Sequence, residues 1–177
     1  MAQHFTTSQL EAIQKCRETG DWTALAINFE RHELLFMLSV FFDQIPDSQK
    51  YEIVMDVYTY LEAARGMSKF LKAIKPLTPA GMLDPIQDRI DHGGNIRVYR
   101  GGVLVKNPAL SPSWTLSRDR AEWFAKRYLF MGDSVLYAGV IQARDVIAYT
   151  DERGEAEIVQ YRSVKNIQIV CEYFKTS

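Results

Sequence analysis

Hydrophobic residues before residue 75 recur at steps of three and four, which is the spacing of an amphipathic α-helix. The pattern predicts a first helix that begins after Thr7 and ends at Gly20, a residue suited to the left-handed position that closes helices. It predicts a second helix over residues 23–44 and a third over residues 48–74, with Gly66 as a point of bending or breaking. The middle of the second helix is apolar on all sides, which is typical of a helix buried among others.

The pattern changes in the second half of the chain. A stretch with two prolines and a glycine at 75–81 breaks the helical spacing and is the expected linker. After Gly94, short runs of β-branched and aromatic residues predict strands. The predicted strands lie at 96–100, 113–116, 135–143, 145–148, 155–161 and 164–174, and short helices at 84–90 and 119–128. The sequence therefore predicts an α+β fold, with a helical N-terminal subdomain at 1–80 and a β-rich core at 81–177.

Charge and cysteine usage narrow the class of protein. The net charge of −1 gives no overall cationic field of the kind that steers nucleic-acid binders, although a local basic patch stays open. Cys16 and Cys171 lie near opposite ends of the chain, without metal-type spacing, and are expected to be free thiols. The three histidines are scattered, so no zinc or other metal site is predicted.

No segment predicts a signal peptide or a membrane span. The N-terminus is polar, and the most apolar run, 34–42, is far shorter than the roughly 20 residues that a span requires. A soluble protein without membrane partners, made in a cytosol, is expected.

Three short pieces of the second half carry candidate chemistry. Glu155 and Glu157 lie one residue apart in a predicted strand, where they would share a face about 7 Å apart. Paired carboxylates suit reactions that develop positive charge on a sugar, because one can stabilise an oxocarbenium centre while the other positions a nucleophile. Taken alone, such a pair is more often a solvated strand face.

The other two pieces contain cationic and hydroxyl groups. Arg100 ends a predicted strand and precedes Gly101 and another glycine; a guanidinium can bind a diphosphate bidentately, and glycine lets a ligand approach the backbone. Ser113 and Thr115 share a predicted strand face, where a hydroxyl can hold a carboxylate or bind a ribose. A turn after an edge strand and a half-exposed strand are the simpler readings of these two pieces.

The order of the three pieces adds to their weight. A strand with Arg100, a Ser-Trp-Thr strand, a helix with Ala-x-x-Phe-Ala at 121–125 and a polar turn into Glu-x-Glu resemble the arginine–serine–glutamate class of mono-ADP-ribosyltransferases. This class includes bacterial toxins and bacteriophage enzymes. The resemblance covers residues 96–161 and does not extend to the first 80 residues. It implies a compact core of two small packed sheets with a helix, which uses NAD as co-substrate and no metal.

The resemblance also implies a role for each matching residue. Arg100 would bind the NAD phosphates, backbone groups at Gly101 would hold the nicotinamide amide, and Ser113 would orient the catalytic glutamate and contact the ribose. Thr115 would support the strand and the NAD site.

The two glutamates and two loops complete these roles. Glu157 would bind the ribose 2′-hydroxyl and stabilise the oxocarbenium, and Glu155 would engage an acceptor, an arginine of a target protein. The turn at 150–154 would recognise that target. The loop at 129–134 would cover NAD, with Phe130 against a ring or simply packed.

Several alternatives stay open at this stage. The chain could be a catalytically silent NAD-binding or interaction protein on the same fold, an NAD glycohydrolase, or a transferase that modifies nucleic acid. The identity of the target, the oligomeric state and the choice between a phage protein and a bacterial effector acting in a host cytoplasm are not predicted.

Overall fold

The computed structural model describes residues 5–61, 66–151 and 153–175. The chain divides into two compact units, Met1–Leu77 and Thr78–Ser177. The boundary drawn from the sequence, between residues 80 and 81, lies three residues beyond this division. Across the described ranges, no helix combines the length and the apolar character needed to cross a membrane.

The first unit is helical. Its helices are α1 (Thr7–Thr19), α2 (Leu34–Phe41), α3 (Asp47–Tyr60) and α4 (Ser68–Ile74). Helix α1 begins at a capping box, in which the backbone N–H of Gln9 donates to Thr6 Oγ1 and the N–H of Thr6 donates to Gln9 Oε1. It ends at Gly20, which adopts the left-handed conformation with φ 73°. The first predicted helix is therefore confirmed, with its end at Gly20 as predicted and its start slightly earlier, at Thr7.

The second predicted helix is wrong over its first half. Two short 3₁₀ turns, Ala26–Asn28 and Arg31–Glu33, precede α2, and Phe29 between them is extended. The carboxylate of Glu33 accepts from the backbone N–H of Glu30 at 3.0 Å and from Gln9 Nε2 at 2.9 Å. A contact with α1, remote in sequence, therefore supports the 3₁₀ turn that directly precedes α2. The predicted burial of the middle of α2 is confirmed in part: Leu34, Met37 and Leu38 are buried, whereas Leu35 and Phe36 are half-buried.

The third predicted helix is two helices. Helix α3 ends at Tyr60 and α4 begins at Ser68. Gly66 has φ 92°, a left-handed value that an α-helix cannot continue through. The glycine predicted as a point of breaking is thus such a point, and the predicted helical residues 62–65 lie outside the described part of the chain.

The second unit combines an antiparallel sheet with one long helix. Its elements are a 3₁₀ helix (Asp84–Arg89), β1 (Asn95–Val103), β2 (Ser113–Thr115), α5 (Arg118–Arg127), β3 (Ser134–Gln142), β4 (Val146–Thr150), β5 (Glu157–Gln160) and β6 (Lys165–Tyr173). The strand order is β4-β5-β2-β1-β3-β6, and every pairing is antiparallel. Mixed helix and antiparallel sheet confirm the α+β class.

The sheet is continuous, but its middle is thin. Strand β1 pairs with β3 over nine positions, whereas it pairs with β2 at a single position, Tyr99 opposite Thr115. Two small packed sheets were expected, and the structure instead has one six-stranded sheet, whose halves β4-β5-β2 and β1-β3-β6 meet at one residue pair. Both halves contribute to one apolar cluster, with Val98 and Tyr137 from one half and Trp114 and Ile158 from the other.

Helix α5 lies unusually close to β1. Ser117 caps the helix by accepting from the backbone N–H of Arg120 at 3.1 Å. Ala121 and Ala125, both fully buried, form the face that meets the sheet. A Cβ added at Gly101 would lie 1.7 Å from the Ala121 carbonyl oxygen and 2.6 Å from the Ala125 nitrogen. Only glycine fits where the strand and the helix touch.

Candidate functional site

The arginine of the first motif binds the strand of the second. Arg100 lies in β1 and is partly buried. Its Nη1 donates to the backbone carbonyl of Ser113 at 2.7 Å. The contact is to the carbonyl rather than to the hydroxyl, and Tyr99, not Arg100, is directly opposite Thr115. A charge-assisted bond therefore joins β1 to β2 beside their single registered pair.

The second motif lies next to Glu157 of the third motif. Strand β2 pairs with β5 so that Thr115 is opposite Glu157 and Ser113 is opposite Val159. Residues directly opposite share a sheet face about 5 Å apart, and diagonal neighbours about 7–8 Å apart, which places Ser113 diagonally next to Glu157. On its other side Glu157 is opposite Thr150 of β4. The fold thus brings pieces that are 57 residues apart in sequence, from Arg100 to Glu157, onto three consecutive strands.

The local conformation of the Glu-x-Glu piece differs from the prediction. Strand β5 begins at Glu157, so Glu155 lies outside it. Ala156 between them adopts a left-handed backbone with φ 44°. Side chains alternate across a strand only while the backbone is extended. The two glutamates are therefore not side-by-side residues of one strand face, and the predicted strand 155–161 is wrong at its start.

Groups from Thr115 of β2, from the following Leu116 and from Asp151 hold the turn before β5 in place. Thr115 Oγ1 donates to the carbonyl of Glu155. The N–H of Leu116 donates to the carbonyl of Ala156 at 3.0 Å. From within the turn, Asp151 Oδ1 accepts from the N–H of Ala156 at 2.8 Å. An L-residue in this conformation costs about 1–2 kcal/mol, which these three bonds offset.

Close packing requires glycine at position 101, and the sequence analysis did not predict this requirement. Its Cα faces the backbone of α5 at Ala121, so packing alone requires glycine there. The signal was available in the two alanines four residues apart on the helix, since small residues let backbones approach. Backbone contact between Gly101 and a nicotinamide amide stays a prediction.

Phe130 is open to solvent. It ends the 3₁₀ turn Tyr128–Phe130, which forms part of the predicted loop, and its side chain is 70% exposed. Its carbonyl accepts from Lys175 Nζ at 3.1 Å. Of the two predicted readings, simple packing does not describe this side chain, and stacking on a ligand ring stays a prediction.

A cavity of about 520 Å³ lies next to the turn, a size typical of ligand pockets. Ala156 and Asp151 line one side, and the 3₁₀ helix Asp84–Arg89, the first turn of α5 and Tyr149 line the others. Burial, and secondarily the negative charge of Asp151, raise the pKa of Tyr149. Arg100, Ser113, Glu155 and Glu157 are not among its lining residues, and sequence reasoning did not anticipate this cavity.

Metal-ligating side chains do not cluster in the part of the chain that the structure describes, where no group of three His, Cys, Asp or Glu residues could hold an ion. Cys16 and Cys171 are free thiols, as predicted. Burial raises the pKa of Cys16, which keeps it protonated at neutral pH.

Comparisons of the chain with protein-family models, with curated proteins and with solved structures found no match.

Proposed function

We propose that this protein is a mono-ADP-ribosyltransferase on an ADP-ribosyltransferase-like core, which uses NAD as co-substrate and modifies an arginine side chain of a target protein. One observation carries the proposal. The three motifs that resemble those of the arginine–serine–glutamate class are remote in sequence but occupy neighbouring strands. Arg100 Nη1 lies 2.7 Å from the Ser113 carbonyl, and Glu157 is opposite Thr115.

The reaction requires charge stabilisation more than proton transfer. The bond between the ribose C1′ and the nicotinamide nitrogen breaks, and its electron pair leaves with nicotinamide. The positive charge of NAD's pyridinium thereby moves to the ribose, where the carboxylate of Glu157 stabilises it. A nitrogen of the acceptor guanidinium then bonds to C1′ and releases a proton to solvent. No metal takes part in this scheme.

The remaining residues position the substrate. Arg100 supplies a permanent cation for the diphosphate of NAD. Its bond to the Ser113 carbonyl holds the guanidinium against β2, and the register of Tyr99 with Thr115 puts the Arg100 side chain on the sheet face opposite to the Ser113 hydroxyl. Glu155, on the turn before β5, binds the acceptor in this scheme. Phe130 is exposed at the end of the 3₁₀ turn that follows α5, and its aromatic ring stacks on a ring of NAD in this scheme.

We propose a cytoplasmic setting, in the cell that makes the protein or in a host cell, with a bacterial effector and a phage enzyme as the two forms of this setting. The net charge of −1 favours a protein target over nucleic acid, because phosphate contacts usually come from clusters of lysine and arginine.

The proposal is tested by incubating the protein with labelled NAD and a cell lysate, followed by mass spectrometry of modified peptides. Label on arginine is expected. Label on nucleic acid would favour the alternative target, and nicotinamide release without any labelled macromolecule would favour a glycohydrolase. Binding of NAD in a calorimeter without nicotinamide release would leave a silent binding protein and end the proposal.

The role of Glu155 is tested separately. Glu155→Gln is expected to reduce transfer to arginine more than hydrolysis of NAD by water, because water does not need an acceptor-binding carboxylate. Equal losses in the two reactions would remove the acceptor role from Glu155.

A further inference from the structure

A side chain of helix α5 reaches across to the turn that carries Glu155. Arg120 lies in the first turn of α5, and its Nη2 donates to the backbone carbonyl of Arg153 at 2.9 Å. Two residues later, the carbonyl of Glu155 accepts from Thr115 Oγ1. The backbone between residues 153 and 155 is thus held at both ends by groups outside the turn.

The position of the Arg120 guanidinium is fixed by more than this bond. Its central carbon lies 5.2 Å from the ring centre of Trp123 and 5.9 Å from that of Phe124. A planar guanidinium stacks on such rings, which restricts the direction in which its N–H groups point. The side chain therefore acts as a rigid connection between α5 and the turn.

The connection through Arg120 includes a destabilising feature, a buried donor group. The Nε–H of Arg120 is buried, and within the described residues no atom accepts a hydrogen bond from it. A buried donor without an acceptor is unfavourable, and an apolar side chain of similar shape would avoid it. Stability alone would thus not favour an arginine here, whereas a need to hold the Arg153 carbonyl at a defined point would.

We propose that Arg120 is a positioning residue, which fixes the turn at 153–155 and thereby sets how ADP-ribose is divided between an acceptor guanidinium and water. The division between acceptor and water rests on the proposed function, because it takes Glu155 as the acceptor-binding group. The holding of the turn by Arg120 does not depend on that function.

The chain provides a matched control in Arg127. Its guanidinium carbon lies 5.0 Å from the same Trp123 ring, on the same helix, but it makes no hydrogen bond to the described residues of the turn. Arg120→Lys keeps the positive charge and the aliphatic stem but removes the planar fork, and Arg127→Lys makes the same change without the turn contact.

The first measurement compares two products of the same reaction. With NAD and an arginine acceptor, Arg120→Lys is expected to lower the ratio of transfer to hydrolysis about 10- to 100-fold, the size of effect that a displaced positioning group produces. Hydrolysis in the absence of acceptor should change less than about threefold, and Arg127→Lys should leave the ratio unchanged. An unchanged ratio in Arg120→Lys, or an equal fall in both variants, would overturn the role in partition.

The second measurement does not need catalysis. The N–H groups of Gly154 and Ala156 are hydrogen-bonded within the turn, so their exchange with deuterium reports on its order. Faster exchange at these two amides is expected in Arg120→Lys but not in Arg127→Lys. Unchanged exchange would refute the holding of the turn. If the wild-type protein releases no nicotinamide, the proposed function fails together with the partition, and the exchange result alone decides whether Arg120 holds the turn.

Loss of folding would not hide the answer. If Arg120→Lys does not fold, Arg120→Gln, which retains an N–H₂ donor without the charge, is measured in the same two assays. It is expected to change exchange and ratio in the same direction.

Discussion

Two neighbouring glycines of β1 are expected to respond in opposite ways to the same substitution. In Gly101→Ala the new methyl carbon would lie 1.7 Å from the Ala121 carbonyl oxygen and 2.7 Å from the Ala121 carbonyl carbon. All of these are backbone atoms, so no side-chain rotation relieves the contact. At Gly102, by contrast, an added Cβ meets no atom within 4 Å.

The size of the effect follows from the displacement that Gly101→Ala requires. Ordinary van der Waals contact begins at about 3.4–4 Å, so α5 must move by roughly 2 Å away from β1. A gap of even 0.5–1 Å forfeits a quarter to a half of the dispersion attraction of the atoms that line it, and Ala121 and Ala125 are fully buried against the sheet. Because overpacking alone typically costs about 1–3 kcal/mol, a loss of at least about 3 kcal/mol in the free energy of unfolding is expected.

Gly102→Ala is the control. Its backbone is not in the left-handed region, and the new methyl group has space. It is expected to leave the free energy of unfolding unchanged or to raise it by about 0.4–1 kcal/mol, because alanine restricts the unfolded chain more than glycine does.

Urea unfolding monitored by tryptophan fluorescence measures both variants, since Trp114 lies in the core of the same unit and is 1% exposed. The midpoint should fall in Gly101→Ala with little change in the slope. In a thermal scan, a loss of about 3 kcal/mol corresponds to a fall of roughly 10 °C or more for a unit of this size. A loss below about 1 kcal/mol in Gly101→Ala, or an equal loss in Gly102→Ala, would refute the close approach of helix and strand.

Two further predictions concern a strained backbone and a buried phenol. Ala156→Gly is expected to leave the free energy of unfolding unchanged or to raise it by up to about 1 kcal/mol, because glycine adopts the left-handed φ of 44° without strain. The control Ala125→Gly, in a helix, should lower the free energy of unfolding by about 1 kcal/mol or more. Equal losses in urea unfolding of the two variants would contradict the left-handed conformation of Ala156. Burial raises the pKa of Tyr51 to about 12, from an ordinary value of about 10. Because the folded state prefers the neutral phenol, the stability that Tyr51 contributes is complete below about pH 10 and is lost as the pH rises through about 12. When urea unfolding is measured at about pH 9 and about pH 11, the free energy of unfolding should therefore fall less in Tyr51→Phe than in the wild type.

Local signals in the sequence predicted the elements well where one residue type decides the outcome. Gly20 closes α1 in the predicted conformation, and Gly66 interrupts the third helical stretch. The strands of the second unit lie within a few residues of their predicted bounds, because β-branched runs bounded by turns have few other solutions. The α+β class followed from these elements.

Long-range contacts account for the elements whose predicted bounds are wrong. The 3₁₀ turn before α2 is capped by the carboxylate of Glu33, which also binds a residue of α1, and no periodicity in the sequence encodes this pairing. The left-handed Ala156 depends on Asp151, five residues earlier, which accepts from its N–H. A pattern of alternating residues cannot reveal such a contact, and it therefore predicts an ordinary strand for the Glu-x-Glu piece.

In the candidate site, too, the sequence predicted the elements but not the long-range contacts between them. The order of the motifs predicted that three remote pieces belong together, and the sheet places them on neighbouring strands. The sequence did not reveal how Arg100 contacts β2, which is through a carbonyl, or that Arg120 reaches the turn before β5. Both are side-chain-to-backbone bonds, whose partners are independent of residue type and therefore leave no trace in the sequence.

The proposal that this chain cleaves NAD at Glu157 is tested most directly by nicotinamide release from purified protein. Wild-type protein, Glu157→Gln and Glu172→Gln are compared with saturating NAD, and Glu172 on the exposed side of β6 provides the same chemical change outside the site. The account predicts release by the wild type and by Glu172→Gln, and a loss of about 10²–10⁴-fold in Glu157→Gln with an unchanged thermal midpoint. Near-normal release by Glu157→Gln, or none by the wild type, would contradict it.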